Sequence, residues 1–249
     1  GAAPAFSALA AIDDVFRAVE AGNADYGIVP VENSTEGVIG RTLDLLLASP
    51  LKICGEVRLR IHQNLMSRAP DLGAVTKVYS HAQSLAQCHE WLDRNLRTLP
   101  RVAVASNAEA ARLASGEDGT AAIGAEAAAE LYDLRILAAN IEDDPRNTTR
   151  FVVIAQHDSG VSGQDRTSLV CSAPNRPGAV HGLLEPFARH GVSMSKLQSR
   201  PARGGMWEYV FYVDLEGHQA DPPVAAALAE LAERASFVKI LGSYPVAVI

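Results

Sequence analysis

Apolar residues recur in two rhythms along the chain, and the switches between them mark its elements. Ile12, Val15, Phe16 and Val19 fall on one helical face within 11–21, and Gly22 ends the run. Residues 26–31 (YGIVPV) form a short apolar run of buried-strand type, in which Pro30 removes one ladder donor. A polar stretch, Glu32 to Gly37, leads to a helix carrying Leu43, Leu46 and Leu47, and 51–61 alternates as a strand. The same grammar then repeats. Strands are predicted at 75–79, 101–105 and 121–124. The first is followed by Ser80-His81-Ala82-Gln83 and a Leu85/Cys88/Leu92/Leu96 stripe, the second by Ser106-Asn107-Ala108-Glu109 and Ala110, Leu113 and Ala114 up to Gly116. Both tetrapeptides read as capping boxes. An Ala/Glu-rich helix runs to about residue 132, and an apolar run, 151–155, follows the polar group Asn147-Thr148-Thr149-Arg150. Strands alternating with helices imply a mostly parallel sheet with helices on its faces.

Residues 158–165 are polar and rich in Gly and Ser, as a linker would be. Beyond them come a strand at 167–173, a tight loop at 174–178 and a helix at 179–189 with Val180, Leu183, Leu184 and Phe187 inward. Strands at 192–200 and 206–216 are joined by a turn at 202–205, and a helix at 222–235 and a strand at 237–243 complete the order βαββαβ. That order is the ferredoxin-like split unit.

Hydrophobic residues make up 48% of the 249, which excludes disorder as the main state. No stretch approaches the roughly 20 apolar residues of a membrane helix, so a soluble protein is expected. The first residues lack a basic region followed by an apolar core, so no signal peptide is expected within the chain, and the absence of Met at position 1 leaves open a leader removed earlier. Cys54, Cys88 and Cys171 are odd in number and widely spaced, which points to a reducing cytoplasm rather than a disulfide framework or a zinc site. The formal charge of −7 argues against general nucleic-acid binding. An anionic ligand would therefore need local donors.

The α/β grammar supplies such donors. Capped helix N-termini at the carboxyl ends of strands offer free N–H groups to carboxylate or phosphate. Neither G-x-G-x-x-G nor G-x-x-x-x-G-K-[ST] occurs, so small carboxylates suit the chain better than nucleotides. The group 147–150 admits two readings. It is either the start of a strand, its hydroxyls satisfying loose backbone groups, or a site where Arg150 holds an anion and a Thr hydroxyl handles a proton.

Six segments in register resemble a known family. Residues 29–37 (VPVENSTEG), 62–65 (HQNL), 80–88 (SHAQSLAQC) and 147–151 (NTTRF) are similar to successive signatures of prephenate dehydratase. Residues 176–180 (RPGAV) and 198–201 (QSRP) are similar to the two effector-binding motifs of its ACT domain. The resemblance implies an α/β protein. Its catalytic region, 1–157, would be periplasmic-binding-protein-like, with two subdomains (the second at roughly 66–144) and the site in the cleft between them. A linker, 158–166, would lead to a ferredoxin-like ACT domain at 167–249. The family usually opens with a strand and a Gly-Pro-x-Gly-Thr-Phe-Ser loop, and residue 1 falls after that point. Gln198 stands where the second effector motif usually has Glu, and Val180 where the first usually has Leu.

The implied reaction converts prephenate to phenylpyruvate, water and CO₂, without a metal or other cofactor. Hydroxide leaves one ring carbon as the opposite carboxylate leaves as CO₂, so the leaving oxygen needs a donor and the two carboxylates need cations or N–H groups. Thr149 is the candidate donor and Arg150 the candidate carboxylate partner. Asn33, Ser34, His81, Ser106, Asn107, Thr148 and Phe151 are the candidate substrate-binding residues. Helix caps are the alternative for Asn33, Ser34 and His81, a domain-interface salt bridge for Arg150, and packing for Phe151. Gln83 is expected to cap with Ser80, and His62 and Gln63 to shape the subdomain crossover. The effector, L-phenylalanine, would meet Asn175, Pro177, Gly178, Ala179, Val180, Gln198, Ser199, Arg200 and Pro201 between paired ACT domains of a homo-dimer or tetramer. Arogenate dehydratase, or a non-catalytic protein binding small carboxylates or amino acids, are the alternatives.

Overall fold

The structure, a computed structural model, describes residues 5–173, 176–202 and 209–247. The chain divides into two compact units, residues 1–59 with 149–249, and residues 60–148.

The first unit begins with α1 (Ile12–Glu20), which buries Phe16 and Val19, and β1 (Gly27–Asn33). A tight turn, with Gly37 at φ +82°, leads into β2 (Gly37–Val38), and α2 (Gly40–Ala48) and β3 (Lys52–Arg60) follow. The second unit contains β4 (Asn64–Ser67), β5 (Lys77–His81), α3 (Ala82–Gln87), α4 (His89–Asn95), β6 (Arg101–Val104), α5 (Asn107–Gly116), β7 (Thr120–Gly124), α6 (Glu126–Leu131) and β8 (Arg135–Ala138). The chain then returns along β9 (Thr148–Ala155). The ferredoxin-like part follows with β10 (Asp165–Ser172), α7 (Ala179–Arg189), β11 (Met194–Pro201), β12 (Tyr209–Glu216), α8 (Pro222–Arg234) and β13 (Phe237–Pro245).

The second unit comes nearest to the predicted parallel sheet. Its order is β6-β5-β7-β4-β8, with β5 parallel to β6 and β7 and β4 antiparallel to β7 and β8. Leu65, Ala121 and Ile123 enter one core, and Met66 and Ala122 enter the other. The strands β4 and β7 are therefore buried on both faces. In the first unit the order is β2-β1-β9-β3, and β1 runs antiparallel to both β2 and β9. The expectation of a mostly parallel sheet fails there, because β9 arrives from the far end of the second unit rather than through a local crossover.

The last four strands form an antiparallel sheet in the order β11-β12-β10-β13, the ferredoxin-like arrangement predicted from βαββαβ. Leu169, Val213 and Leu215 face α7 and α8 on one side. Val170, Tyr212, Leu241 and Tyr244 join Leu43, Leu46, Ile53 and Val152 on the other. Both faces of β10 are thus covered, which explains its nearly continuous burial. The two layers meet closely. A Cβ at Gly242 (φ +153°) would lie 2.1 Å from the Ile53 carbonyl oxygen. Gly242→Ala must push β13 away from β3, and a loss of about 1–3 kcal/mol or more in urea unfolding is expected.

The start of the strand expected from 206, and residues 203–205 of the turn expected at 202–205, lie outside the described residues. One predicted boundary shifts. The helix after β5 is interrupted at Cys88, where α3 ends and α4 begins.

Candidate active site and effector region

Asn33 and Thr149 face each other across β1 and β9. A register shift between Pro30 and Glu32, a bulge at Val31 beside the proline that cannot donate, sets this pairing. The Asn33 side chain is held from one end. Its Oδ1 accepts from Thr35 N–H (3.0 Å), Glu36 N–H (3.2 Å) and the Thr35 hydroxyl (2.6 Å), which closes the turn into β2. Backbone N–H groups only donate, so the amide orientation is fixed and Nδ2 faces Thr149 Oγ1 at 2.9 Å. Thr149 Oγ1 is therefore an acceptor toward Asn33. No acceptor among the described residues takes its proton, so the hydroxyl is set up to donate outward. Thr149 is 8% exposed and Asn33 9%, a setting of low local dielectric in which such a donor acts strongly. Ser34 lies exposed in the same turn. The turn joins two strands, so neither Asn33 nor Ser34 caps a helix, and the cap position of α2 is Ile39, without a side-chain bond.

Arg150 is placed differently from the expectation that it receives a substrate carboxylate. Its Nε donates to Glu56 (2.8 Å), Nη1 to Asp214 (2.6 Å) and Nη2 to the Tyr244 hydroxyl (2.8 Å). Its side chain is 13% exposed, and Glu56 also pairs with Arg166. Burial disfavours the guanidinium charge, but Tyr244, Asp214 and Glu56 outweigh it and hold Arg150 above its ordinary pKa. The alternation of β9 sends Thr149 and Arg150 to opposite faces, and Arg150 joins β3 to the ferredoxin-like sheet. Thr148 Oγ1 bonds the Arg146 carbonyl (2.9 Å), and Phe151 is half-buried opposite Pro30.

In the second unit, Ser80 lies within β5 and does not cap. His81 is the N-cap of α3, and its Nδ1 accepts from Gln83 N–H at 3.4 Å. The cap fails at Ser80 because its hydroxyl turns inward, 2.9 Å from Asn107 Oδ1 and 3.0 Å from the Ile123 carbonyl. An accepting Nδ1 puts the His81 ring proton on Nε2, a donor suited to a carboxylate. Ser106 caps α5 as predicted, accepting from Glu109 N–H at 3.0 Å. Asn107 is engaged at both ends. Its Oδ1 accepts from His81 N–H (3.1 Å) and its Nδ2 donates to Ser84 (2.9 Å), so it braces two helix starts rather than reaching outward. Gln63 bonds Ser84 and Gln87, both at 3.2 Å, while Glu142 holds Gln63 N–H (2.8 Å) and His62 (2.9 Å). Sequence reasoning missed Ser84 and Glu142, whose partners are up to 80 residues away. All three cysteines are free, and burial pushes the Cys88 and Cys171 thiols up to about 12.

In the ferredoxin-like part, Gly178 (φ +77°) opens α7 in the left-handed region that favours glycine, and Pro177 and Val180 are exposed around it. Ala179 N–H bonds the Arg176 carbonyl (3.1 Å), and Asn175 lies outside the described residues. Alternation on β11 turns Lys196, Gln198 and Arg200 to one face and leaves Leu197, Ser199 and Pro201 exposed on the other. Gln198 Nε2 bonds the Ser199 carbonyl (3.0 Å). Arg200 pairs with Asp44 of α2 at 3.2 Å, so its charge is directed at the first unit's own helix and not to an open effector surface. Lys196 similarly pairs with Glu32 at 2.7 Å, a contact with no sequence signal across 164 positions. Among the described residues no helix is long and apolar enough to cross a membrane.

Comparison with known proteins matches this layout. The prephenate dehydratase family matches residues 4–159, and the ACT domain family matches 167–233. The bifunctional chorismate mutase/prephenate dehydratase of Neisseria gonorrhoeae is 56% identical over 241 residues, covering 96% of this chain and 67% of that protein. The chain spans about two thirds of the length of the curated relatives it matches. Among solved structures, the prephenate dehydratase of Arthrobacter aurescens in complex with L-Phe has TM-score 0.85 at 34% identity, covering 94% of this chain and 79% of that one. A structure described as GqqA, a novel type of quorum quenching acylase, has TM-score 0.86 at 30% identity, covering 95% and 88%. With one family over the two-subdomain region and the other over the ferredoxin-like region, in that order, the chain belongs to the prephenate dehydratase family and carries an ACT domain.

Proposed function

We propose that this protein converts prephenate to phenylpyruvate, water and CO₂, and that L-phenylalanine regulates it through the ACT domain. The observation that carries the reading is the Asn33–Thr149 bond. It leaves the Thr149 hydroxyl as a donor, which is what a departing hydroxide requires. Family membership supports the substrate class, and the L-Phe complex of the Arthrobacter aurescens relative supports the effector. Ser34 and Thr148 are assigned as polar neighbours of Thr149, and the His81 Nε2–H as a carboxylate donor. Pro177, Gly178, Ala179 and Val180, with Gln198 and Ser199, are assigned to the effector. Arg150, Asn107 and Arg200 are assigned as braces. The edge strand β11, with Met194 and Leu197 exposed, makes a second copy of this chain the expected partner. A soluble enzyme of the cytoplasm fits this chemistry.

The test is prephenate turnover by the full natural chain, followed as phenylpyruvate, with and without L-phenylalanine and beside arogenate. Turnover that L-phenylalanine changes is expected. A higher kcat/KM for arogenate would reassign the substrate. L-phenylalanine binding by calorimetry without turnover of either compound would leave a non-catalytic amino-acid sensor.

A further inference from the structure

Four charges tie the two sheets of the first unit together at one level. Glu32 and Arg150 are direct partners across β1 and β9, and Lys196 and Asp214 are direct partners across β11 and β12. The two rungs are joined by ion pairs, Lys196 Nζ to Glu32 at 2.7 Å and Arg150 Nη1 to Asp214 at 2.6 Å. Each rung lies beside a register shift, between Pro30 and Glu32 on β1 and between Met194 and Lys196 on β11. The next rung on β1 and β9 is Asn33 with Thr149. The same face of β11 carries Gln198, two residues beyond Lys196 and inside the motif that resembles an effector site.

The side chains of Lys196, Arg150 and Asp214 are 15%, 13% and 10% exposed and that of Glu32 36%, so the Arg150–Asp214 pair is largely withdrawn from water, where breaking it leaves a costly lone charge, while the Lys196–Glu32 pair meets water on its Glu32 side. A cavity of about 30 Å³ lies against Arg150, Lys196 and Asp214, room for about one water and for small side-chain shifts. A bulge bends its strand and re-aims the side chains beside it. A movement of β11 has a direct ionic route to the residue before Asn33 and, through β12, to the residue after Thr149.

We propose that Glu32, Arg150, Lys196 and Asp214 form a clamp that passes the effector state of β11 to the Asn33–Thr149 pair. The proposal rests on the function assigned above. Lys196 and Glu32 are positioning residues, acting through the neighbouring rung.

The experiment uses the full chain, its Lys196→Met variant and the charge-swapped Glu32→Lys/Lys196→Glu variant, with L-phenylalanine as the probe. In Lys196→Met, L-phenylalanine still binds by calorimetry, while its effect on prephenate kcat shrinks by at least about fivefold, the low end of allosteric coupling. KM stays near that of the unsubstituted chain, and the swapped variant regains the response. Unchanged regulation in Lys196→Met, loss of L-phenylalanine binding there, or no recovery in the swap each overturns the clamp. Hydrogen exchange of 148–155 reads the same coupling without turnover. Protection changes on adding L-phenylalanine to the unsubstituted chain but not to Lys196→Met support the clamp even if prephenate is not the substrate. Equal changes in both, or no L-phenylalanine binding to the unsubstituted chain, overturn it.

Discussion

Thr149→Ala should lower kcat for phenylpyruvate formation by about 10²–10³-fold, the scale of removing one positioned donor at a developing oxyanion. KM should stay nearly unchanged, because the hydroxyl acts on charge that appears only as the ring oxygen departs. Thr149→Ser should retain most activity, since it keeps the oxygen, although it loses the β-branched restriction of χ1 that fixes its direction. Asn33→Asp is the sharper test. The Oδ1 position still accepts from Thr35 and Glu36, but the second oxygen becomes an acceptor where Nδ2 was a donor. The Thr149 proton then turns inward, and kcat should fall about as far as in Thr149→Ala. Thr149→Ala with unchanged kcat would falsify the assignment. A fall in Thr149→Ala without one in Asn33→Asp would show that the hydroxyl acts as an acceptor.

The segments that the pattern of apolar residues made legible are those whose partners are local. The helix α7 appears over Ala179–Arg189, the residues its apolar stripe predicts, and α5 carries the Ser106 cap. The short strands β4 and β8 were missed. All four residues of β4 are buried, Asn64 and Ser67 included, so it shows no alternation. Those polar groups are satisfied by backbone, Asn64 by the Gly124 carbonyl and Asn140 N–H and Ser67 by the Thr120 carbonyl, contacts that exist only after folding. Thr149 stood out only through its motif. Its partner Asn33 is 116 positions away, and no local rhythm shows that the two share a rung. Arg150 shows the limit most clearly. A guanidinium beside a candidate donor invites a carboxylate, and the sequence contains one 94 positions away at Glu56 and another 64 away at Asp214. Which carboxylate it meets is decided by tertiary packing.

Arg150→Met should therefore act first on stability. The substitution leaves Asp214 with the Ser168 hydroxyl as its side-chain partner within the network, while Glu56 keeps Arg166 and the Ala247 N–H. Removing one partner of such a buried pair costs about 3–5 kcal/mol. For a chain of this size each kcal/mol is worth about 2–4 °C, so a fall in Tm of about 6–20 °C is expected by calorimetry. The double variant Arg150→Met/Asp214→Leu should lose less than the two single losses combined, because it removes the stranded charge along with its partner. Tyr244 adds an alkaline limit to the same network. Burial, reinforced by Asp214, raises its phenol above the ordinary value. A raised folded pKa gives stability that is present below the unfolded value of about 10 and is lost as pH rises beyond it. Activity separates this role from substrate binding. Below the lowered Tm, Arg150→Met should keep its KM for prephenate and lose kcat, because β9 is less firmly held beside Thr149. A KM raised by about 100-fold with an unchanged Tm, the scale of a lost charged hydrogen bond, would return Arg150 to the substrate carboxylate.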